Sequence, residues 1–400
     1  PARGGGHAGG DGAGGAAIVM KPWQANPYPT VGVEQEFHLI DPETADLVPR
    51  MEQVWGSLAG PLKQAVSHEL FLSILETASE VARDVDGLLG AVVRDRRALS
   101  RAARRQGVLL AAAGTHPFAR GHRQKVVPSE HYRWVHREHG IISRRMLATG
   151  LHVHVGLRSA DAGVYVMHEM KRWAYPLMAL SANSPFFEGR ASGLASTRAL
   201  LFHSLPRTHL APSFKRFADL ERFYDRLVEA GEITRPGDLW WMIRVQPPLG
   251  TVEYRLFDLP TDVRRVAALT AICQAASACY QDRFEQGCPM TEFAEGCLDQ
   301  NRWQATRHGL DGRVLDPVDQ EVLPVRKQLD RLLEIVAPKA AELGSTHWLE
   351  FARRMMEAGS ESQWQVRQYE RLGGDLRKLE RLIAERTAKL SRPVPSAVRL

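Results

Sequence analysis

Three short stretches of the chain place charged or ligating side chains at every second position. Val33-Glu34-Gln35-Glu36-Phe37 carries two carboxylates, Leu151-His152-Val153-His154-Val155 two imidazoles, and Val252-Glu253-Tyr254-Arg255-Leu256 a carboxylate and a guanidinium. A period of two belongs to an extended strand, whose side chains alternate between faces. Each stretch therefore turns its polar pair one way and its apolar neighbours, or Gln35, the other. Taken singly, such a strand is most simply one with a solvated face in an antiparallel sheet. Three of them, with Glu69 and Glu76 adding carboxylates on a fourth segment, point to a shared cation. Carboxylates with an occasional imidazole suit Mg²⁺ or Mn²⁺, whereas zinc prefers thiolate- or histidine-rich sets. A divalent ion would relieve the repulsion between Glu34 and Glu36, and an arginine beside it suits a phosphate. Together they could hold a nucleoside triphosphate for phosphoryl transfer. No G-x-x-x-x-G-K-[ST] occurs, so metal ions rather than a P-loop would anchor ATP. The H-x-H pair leaves a second chemistry open, a zinc metallohydrolase built on His152 and His154, although no H-E-x-x-H accompanies it.

The elements that must position these residues follow from the same patterns. Val31–Ile40 reads as a strand ending at the turn Asp41-Pro42-Glu43-Thr44, and Leu47–Pro49 as the start of a partner strand. Leu70–Glu76 reads as a further strand, and Asp84-Val85-Asp86 opens a helix that runs to about Gln106. Val108–Ala113, Leu151–Leu157 and Gly250–Asp258 complete the strands, with a helix across Ala162–Leu180. From Asp262 onward the pattern is helical, ending in a charged helix near Gln363–Leu390. Strands separated by irregular helical stretches do not alternate as a doubly wound parallel sheet requires, so an α+β fold is expected. Residues 1–20 are Gly/Ala-rich and are expected to be a disordered tail. Residues 27–395 are expected to form a single domain.

Composition narrows the function classes. The 400 residues are 44% hydrophobic and 24% charged, enough for a large core, and no apolar run reaches the ~20 residues of a membrane helix. Net charge is +6, and Arg94, Arg96, Arg97, Arg101, Arg104 and Arg105 cluster on one expected helix. They are interleaved with Leu and Ala rather than with stacking aromatics, so nucleic-acid binding is not expected. The four cysteines have no zinc-finger or C-x-x-C spacing, and no secretory leader is expected, which fits a reducing cytoplasm.

An ordered series of motifs resembles the carboxylate–amine ligase family, the type 2 glutamate–cysteine ligase-like enzymes. It comprises V-G-V-E-Q-E-F-H-L-I-D-P-E-T, H-E-L-F-L-S-I-L-E, G-T-H-P-F, G-L-H-V-H-V-G, L-S-A-N-S-P-F-F-E-G-R, W-W-M-I-R, T-V-E-Y-R and N-R-W-Q-A-T-R-H-G. The resemblance implies a glutamine-synthetase-like fold, an antiparallel sheet curved into a funnel with helices outside. It also implies an ATP- and Mg²⁺-dependent ligase that phosphorylates a carboxylate, typically that of glutamate, before an amine attacks. By motif matching, Glu34, Glu36, Glu76, His152 and Glu253 would be metal ligands. Arg255 would contact the transferred phosphate, Arg198 the substrate or phosphate, and His154 would line the substrate end, where it could serve as a base. Glu69, His116, Trp241 and Arg244 are further candidates for contacts with substrate or nucleotide. The family commonly has three consecutive acids where this chain has Glu34-Gln35-Glu36, but Gln35 points away from the metal-facing pair. A non-catalytic nucleotide-binding relative is the third reading, opposed by the intact acid, His and Arg set. The long C-terminal helix offers a surface for a homodimer.

Overall fold

The computed structural model describes residues 20–390, so the Gly/Ala-rich tail lies outside the described residues apart from Met20. Seven strands form the main sheet: β1 (Val31–Ile40), β2 (Val66–His68), β3 (Ile74–Ala78), β4 (Leu109–Ala111), β5 (Gly150–Gly156), β6 (Ile243–Gln246) and β7 (Thr251–Asp258). They pair in the order β2-β3-β1-β5-β7-β6, with β4 also pairing with β1, and every pairing is antiparallel. The path ends at β2 and β6, so the sheet is open. β1 is its centre. Residues 31–35 pair with β5 and residues 38–40 with β4 along one edge, while β3 takes the other.

One face of this sheet is apolar. Val33, Phe37, Val153, Val155, Val252 and Tyr254 are buried there under two long helices, α1 (Val85–Arg105) and, after the short helix α2 (Thr197–His203), α3 (Val263–Glu285). Each long helix starts at an aspartate whose side chain satisfies a free N–H of the first turn, Asp84 for Gly87 and Asp262 for Arg264. Tyr254 sends its hydroxyl to Ser277 of α3 at 2.7 Å, and Cys273 is a buried thiol in the same helix.

Gln35 also lies on this face and is 1% exposed. Its amide oxygen accepts from Arg96 Nε at 2.8 Å, and the same guanidinium donates to the carbonyls of Pro260 and Thr261. One member of the arginine cluster is thus a core residue rather than a solvated charge.

Several elements differ from the expectations. Leu70–Glu76 is not one strand. A turn in which Ile74 N bonds Phe71 O separates β2 from β3 and leaves Glu69 in the connection. The helix expected at 162–180 breaks at Met170 into Ala160–Glu169 and Lys171–Ser181. A hairpin of Arg313–Leu315 and Val322–Pro324 interrupts the helical C-terminal half. The terminal charged helix is split into Glu361–Arg371 and Leu376–Leu390, because Gly373 and Gly374 both take positive φ between them. β6, which begins with the last two residues of the W-W-M-I-R motif, Ile243 and Arg244, is a strand beyond those expected.

The ladder between β5 and β7 holds a bulge. Val153 pairs with Tyr254, but Leu151 pairs with Phe257 and Gly150 with Asp258. Before the bulge Glu253 pairs with His154, so plain alternation already sets Glu253 and Arg255 on the face of His152 and His154. The extra residue in β7 turns Asp258 onto that face, where uninterrupted alternation would have pointed it into the apolar layer.

Candidate active site

The polar face of the sheet gathers the paired side chains from four strands. β1 sets Glu34 directly opposite His152 of β5 and opposite Ala78 of β3, and sets Glu36 opposite Glu76 of β3. β7 sets Glu253 opposite His154 on one side and Arg244 of β6 on the other. His152 is the hub. Its Nδ1 is 2.8 Å from Glu34, 3.8 Å from Glu253 and 3.4 Å from Arg255, while its Nε2 is 3.5 Å from Glu36. His154 Nε2 lies 3.4 Å from the second oxygen of Glu34, and its Nδ1 lies 3.0 Å from Thr251 Oγ1.

Two groups of side chains could each hold a cation: Glu34, His152 and Glu253, and Glu36, Glu76 and His152, with ligand atoms within 4.8 Å of one another in each. All five expected ligands belong to one or the other. Neither group contains both histidines, so the donor sets are carboxylate-rich with a single imidazole, a composition that suits Mg²⁺ or Mn²⁺ better than zinc.

The charges on the two sides of the hub differ. Glu253 is fully buried, and burial alone would raise its carboxyl pKa. Arg244 and Arg255 hold it well below the usual range instead. Arg244 reaches it at 2.7 Å, Gln246 at 2.6 Å, and Arg255 bonds its other oxygen. Burial would also raise Glu34, but hydrogen bonds from His152 and His154 bring it down. On the other side, burial and the neighbouring Glu36 push Glu69 up to about 8, and burial with Glu69, Glu34 and Glu36 pushes Glu76 well above the usual carboxylate range. There Glu76 has Ser67 Oγ as a donor at 2.9 Å. Clustered carboxylates that resist ionisation are the electrostatic signature of a place built for added positive charge. The buried Nε2 atoms of His152 and His154 also have no hydrogen-bond partner. The residues present therefore fit a divalent metal.

The arginines stand at the edge of this cluster. Arg255 has a buried Nε without a hydrogen-bond partner. Arg198, 4% exposed, comes from α2 and donates to the carbonyl of Arg255 at 3.0 Å, with Glu36 and Asp258 as its charge partners. For His154, burial alone would lower the imidazole pKa, but the Glu34 hydrogen bond and the charge of Glu253 hold it above its ordinary value. Such an imidazole favours charge stabilisation over taking up a proton.

Arg244 and Gln246 form the boundary between Glu253 and a cavity of about 310 Å³ whose walls include Trp241, Arg235, Leu220 and Pro247. Trp241 packs against Phe223 and Phe214 and presents its remaining edge to this space. His116 is placed elsewhere. Its Nε2 bonds the Ala45 carbonyl at 2.9 Å, its Nδ1 accepts from Ala119 N, and its ring abuts His38, so it stands apart from the five ligands. His38 is fully buried, and burial keeps its imidazole neutral. Gln246, Ser67 and Asp258 were not anticipated. Gln246 sits in the unrecognised strand, and Asp258 depends on a bulge that leaves no local signature.

Comparison with known proteins bears on this arrangement. Residues 30–384 match the family model described as "Glutamate-cysteine ligase family 2". The chain belongs to glutamate–cysteine ligase family 2. Among members of that family, the "Putative glutamate--cysteine ligase 2" of Sorangium cellulosum (strain So ce56) is 34% identical over 344 residues, covering 86% of this chain and 92% of the relative. The "Putative glutamate--cysteine ligase 2-3" of Rubrobacter xylanophilus is 37% identical, covering 91% and 98%. Among solved structures, a glutamate–cysteine ligase from Francisella tularensis in complex with AMP aligns with a TM-score of 0.68 at 11% identity over 95% of this chain and 91% of that one. A bifunctional glutathione synthetase from Pasteurella multocida aligns at 0.69 and 13%, over 91% of this chain and 52% of its own length. These alignments show the fold, helices over an open antiparallel sheet, in keeping with the glutamine-synthetase-like fold expected from the sequence. No helix among the described residues is long and apolar enough to cross a membrane.

Proposed function

We propose that this family 2 protein is an ATP-dependent carboxylate–amine ligase that joins glutamate, through its γ-carboxylate, to an amine or amino acid. The observation that carries the proposal is the ring of Glu34, Glu36, Glu76 and Glu253 around His152, with Arg255 and Arg198 at its rim. Residues 27–395 would work as one catalytic domain, 391–395 lying outside the described residues.

A carboxylate is a poor electrophile, so the reaction needs a leaving group. In the first step a glutamate carboxylate oxygen attacks the γ-phosphorus of ATP, the bond to the bridging oxygen breaks, and ADP leaves an acyl phosphate behind. In the second, the amine nitrogen bonds the acyl carbon, phosphate departs, and the ammonium proton is lost. Mg²⁺ held by Glu34, His152 and Glu253, and by Glu36, Glu76 and His152, would supply the charge that neutralises phosphate oxygens.

The chain's own residues do the rest. Glu253, clamped by Arg244 and Gln246, fixes one nitrogen of Arg255 and leaves its Nε to donate to the moving phosphoryl group. Arg198 adds a second cation beside Glu36. His154, whose protonated form Glu34 and Glu253 favour against burial, suits support of phosphate better than acting as the amine's base. The cavity behind Arg244, with Trp241 in its wall, is of a size and polarity for the nucleoside.

Hydroxylamine tests the proposal without knowledge of the natural amine, because it converts an acyl phosphate to a hydroxamate with release of phosphate. Protein with ATP, Mg²⁺, glutamate and hydroxylamine should yield γ-glutamyl hydroxamate and equimolar ADP, and chelation of the metal should stop both. ADP release that is independent of glutamate, or no hydroxamate from a folded protein, would defeat the proposal.

A further inference from the structure

Asp258 is fully buried at the end of β7 and is used by none of the steps above. One of its oxygens accepts from Asn183 N at 2.7 Å and Ser184 Oγ at 2.6 Å, and the other accepts from Ser196 Oγ at 2.7 Å. Each serine hydroxyl has a single proton. With that proton committed to Asp258, the oxygen lone pairs are turned toward the first turn of α2. Ser184 Oγ accepts from Arg198 N at 3.1 Å, and Ser196 Oγ accepts from Ala199 N at 3.1 Å. The aspartate therefore sets the polarity of both hydroxyls that grip the backbone around Arg198.

The surroundings are shaped for the same purpose. A Cβ on Gly114 would come within 2.6 Å of Asp258 Cγ, so only glycine admits the carboxylate. A Cβ on Gly150, the ladder partner of Asp258, would come within 2.7 Å of Arg198 Cζ, so only glycine admits the guanidinium in this position. The β7 bulge turns Asp258 onto this face at all. A helix cap alone does not require these features, because Ser196 caps α2 by itself.

We infer that Asp258 is a positioning residue: through Ser184 and Ser196 it fixes the first turn of α2 and thereby holds the Arg198 guanidinium against Gly150 beside Glu36. The inference rests on the proposed role of Arg198 at the reacting phosphate. Burial holds the Asp258 carboxyl pKa above its ordinary value, against the opposing pull of the Arg198 charge, the Asn183 N–H and the two serine hydroxyls.

The test is D258N, which keeps the shape but places an amide on one side of the group. The hydroxamate assay should show kcat reduced ~100-fold, the loss expected for a misplacement of about 1 Å, with the KM for ATP and the calorimetric affinity for ATP–Mg²⁺ unchanged. R198A should lose at least as much, and the double variant D258N/R198A should match R198A alone. Wild-type kcat in D258N overturns the inference and leaves the Arg198 role standing. Losses that multiply in the double variant overturn it too, since Asp258 would then act independently of Arg198. Full activity in R198A removes the role itself and the inference with it. A crystal structure of D258N is independent of turnover: Arg198 should have left the Arg255 carbonyl, and finding it in place overturns the inference. If D258N does not fold, S184A, which deletes one of the two relays, should lower kcat only when Arg198 is present. A loss that persists in R198A again overturns it.

Discussion

Gly150→Ala is the smallest perturbation that reaches the proposed chemistry. The new methyl carbon would sit 2.7 Å from Arg198 Cζ and 2.8 Å from Arg198 Nε. Nonbonded carbons rest at about 3.5–4.0 Å, so the guanidinium must retreat by about 1 Å. Arg198 is the far end of a flexible chain, so the retreat is sterically feasible, but it breaks the 3.0 Å bond to the Arg255 carbonyl. Losing a charged hydrogen bond costs about 1.5–3 kcal/mol of stability, and alanine returns about 0.4–1 kcal/mol by stiffening the unfolded chain. The fold should thus survive with a loss of about 1–2 kcal/mol, read as a lower urea midpoint at constant slope. The kinetic effect should be larger, because a 1 Å misplacement of a transition-state contact costs ~100-fold in rate, or ~2.7 kcal/mol of barrier. ATP–Mg²⁺ affinity should be unchanged, since the metal ligands are untouched. The measurement is hydroxamate formation at saturating glutamate and ATP, alongside urea melts. Wild-type kcat in a folded Gly150→Ala protein would refute the reasoning that Arg198 works from beside Gly150.

Other expectations follow from the same structure. Glu253→Gln removes the charge that orients Arg244, Gln246 and Arg255 and one ligand of a cation group, so metal-dependent ATP binding should disappear from calorimetry; retained binding would remove Glu253 from the site. Glu380 is buried with neither oxygen hydrogen-bonded, one of them 3.9 Å from His116 Nε2, and burial pushes its pKa from 4.5 up to about 8. The folded state therefore holds a proton that the unfolded chain releases, and stability is lost as pH rises from about 4.5 to about 8, on the order of 5 kcal/mol in all. Glu380→Gln should flatten that slope in pH-dependent melts, and an unchanged slope would contradict it. Arg96→Met leaves Gln35, Pro260 and Thr261 with orphaned acceptors at roughly 1–3 kcal/mol each, partly offset by no longer burying a cation. A net loss of about 3 kcal/mol with unchanged kcat is expected, and a fall in kcat without loss of stability would show that this face of β1 touches the reaction.

Much of the site was legible because its geometry is local. In Glu34-x-Glu36, His152-x-His154 and Glu253-x-Arg255 the shared face follows from the pleat of one strand, and strand alternation needs no partner to be read. Gln35 was assigned to the opposite face by the same rule, and it lies there against Arg96. Helix starts at Asp84 and Asp262 were equally readable, because a cap is made within one turn of its own chain.

What the sequence by itself determined, then, was the strands that carry Glu34, Glu36, His152 and Glu253, the faces of their paired side chains and the family to which the whole series belongs. The tertiary structure decided everything that depends on a partner distant in the chain. The β7 bulge is a property of the ladder with β5, not of T-V-E-Y-R-L-F-D, so the placement of Asp258 could not be read from alternation. Arg96 looked like one of six surface arginines, and only the carbonyls of Pro260 and Thr261, more than 160 residues away, make it a core residue. Arg198 packs over Gly150, with Glu36 as a charge partner, only because Gly150 on another strand lacks a side chain. Pleat and cap are fixed within a few residues, whereas register, burial and the space left by a missing Cβ come into being only when segments from across the chain meet.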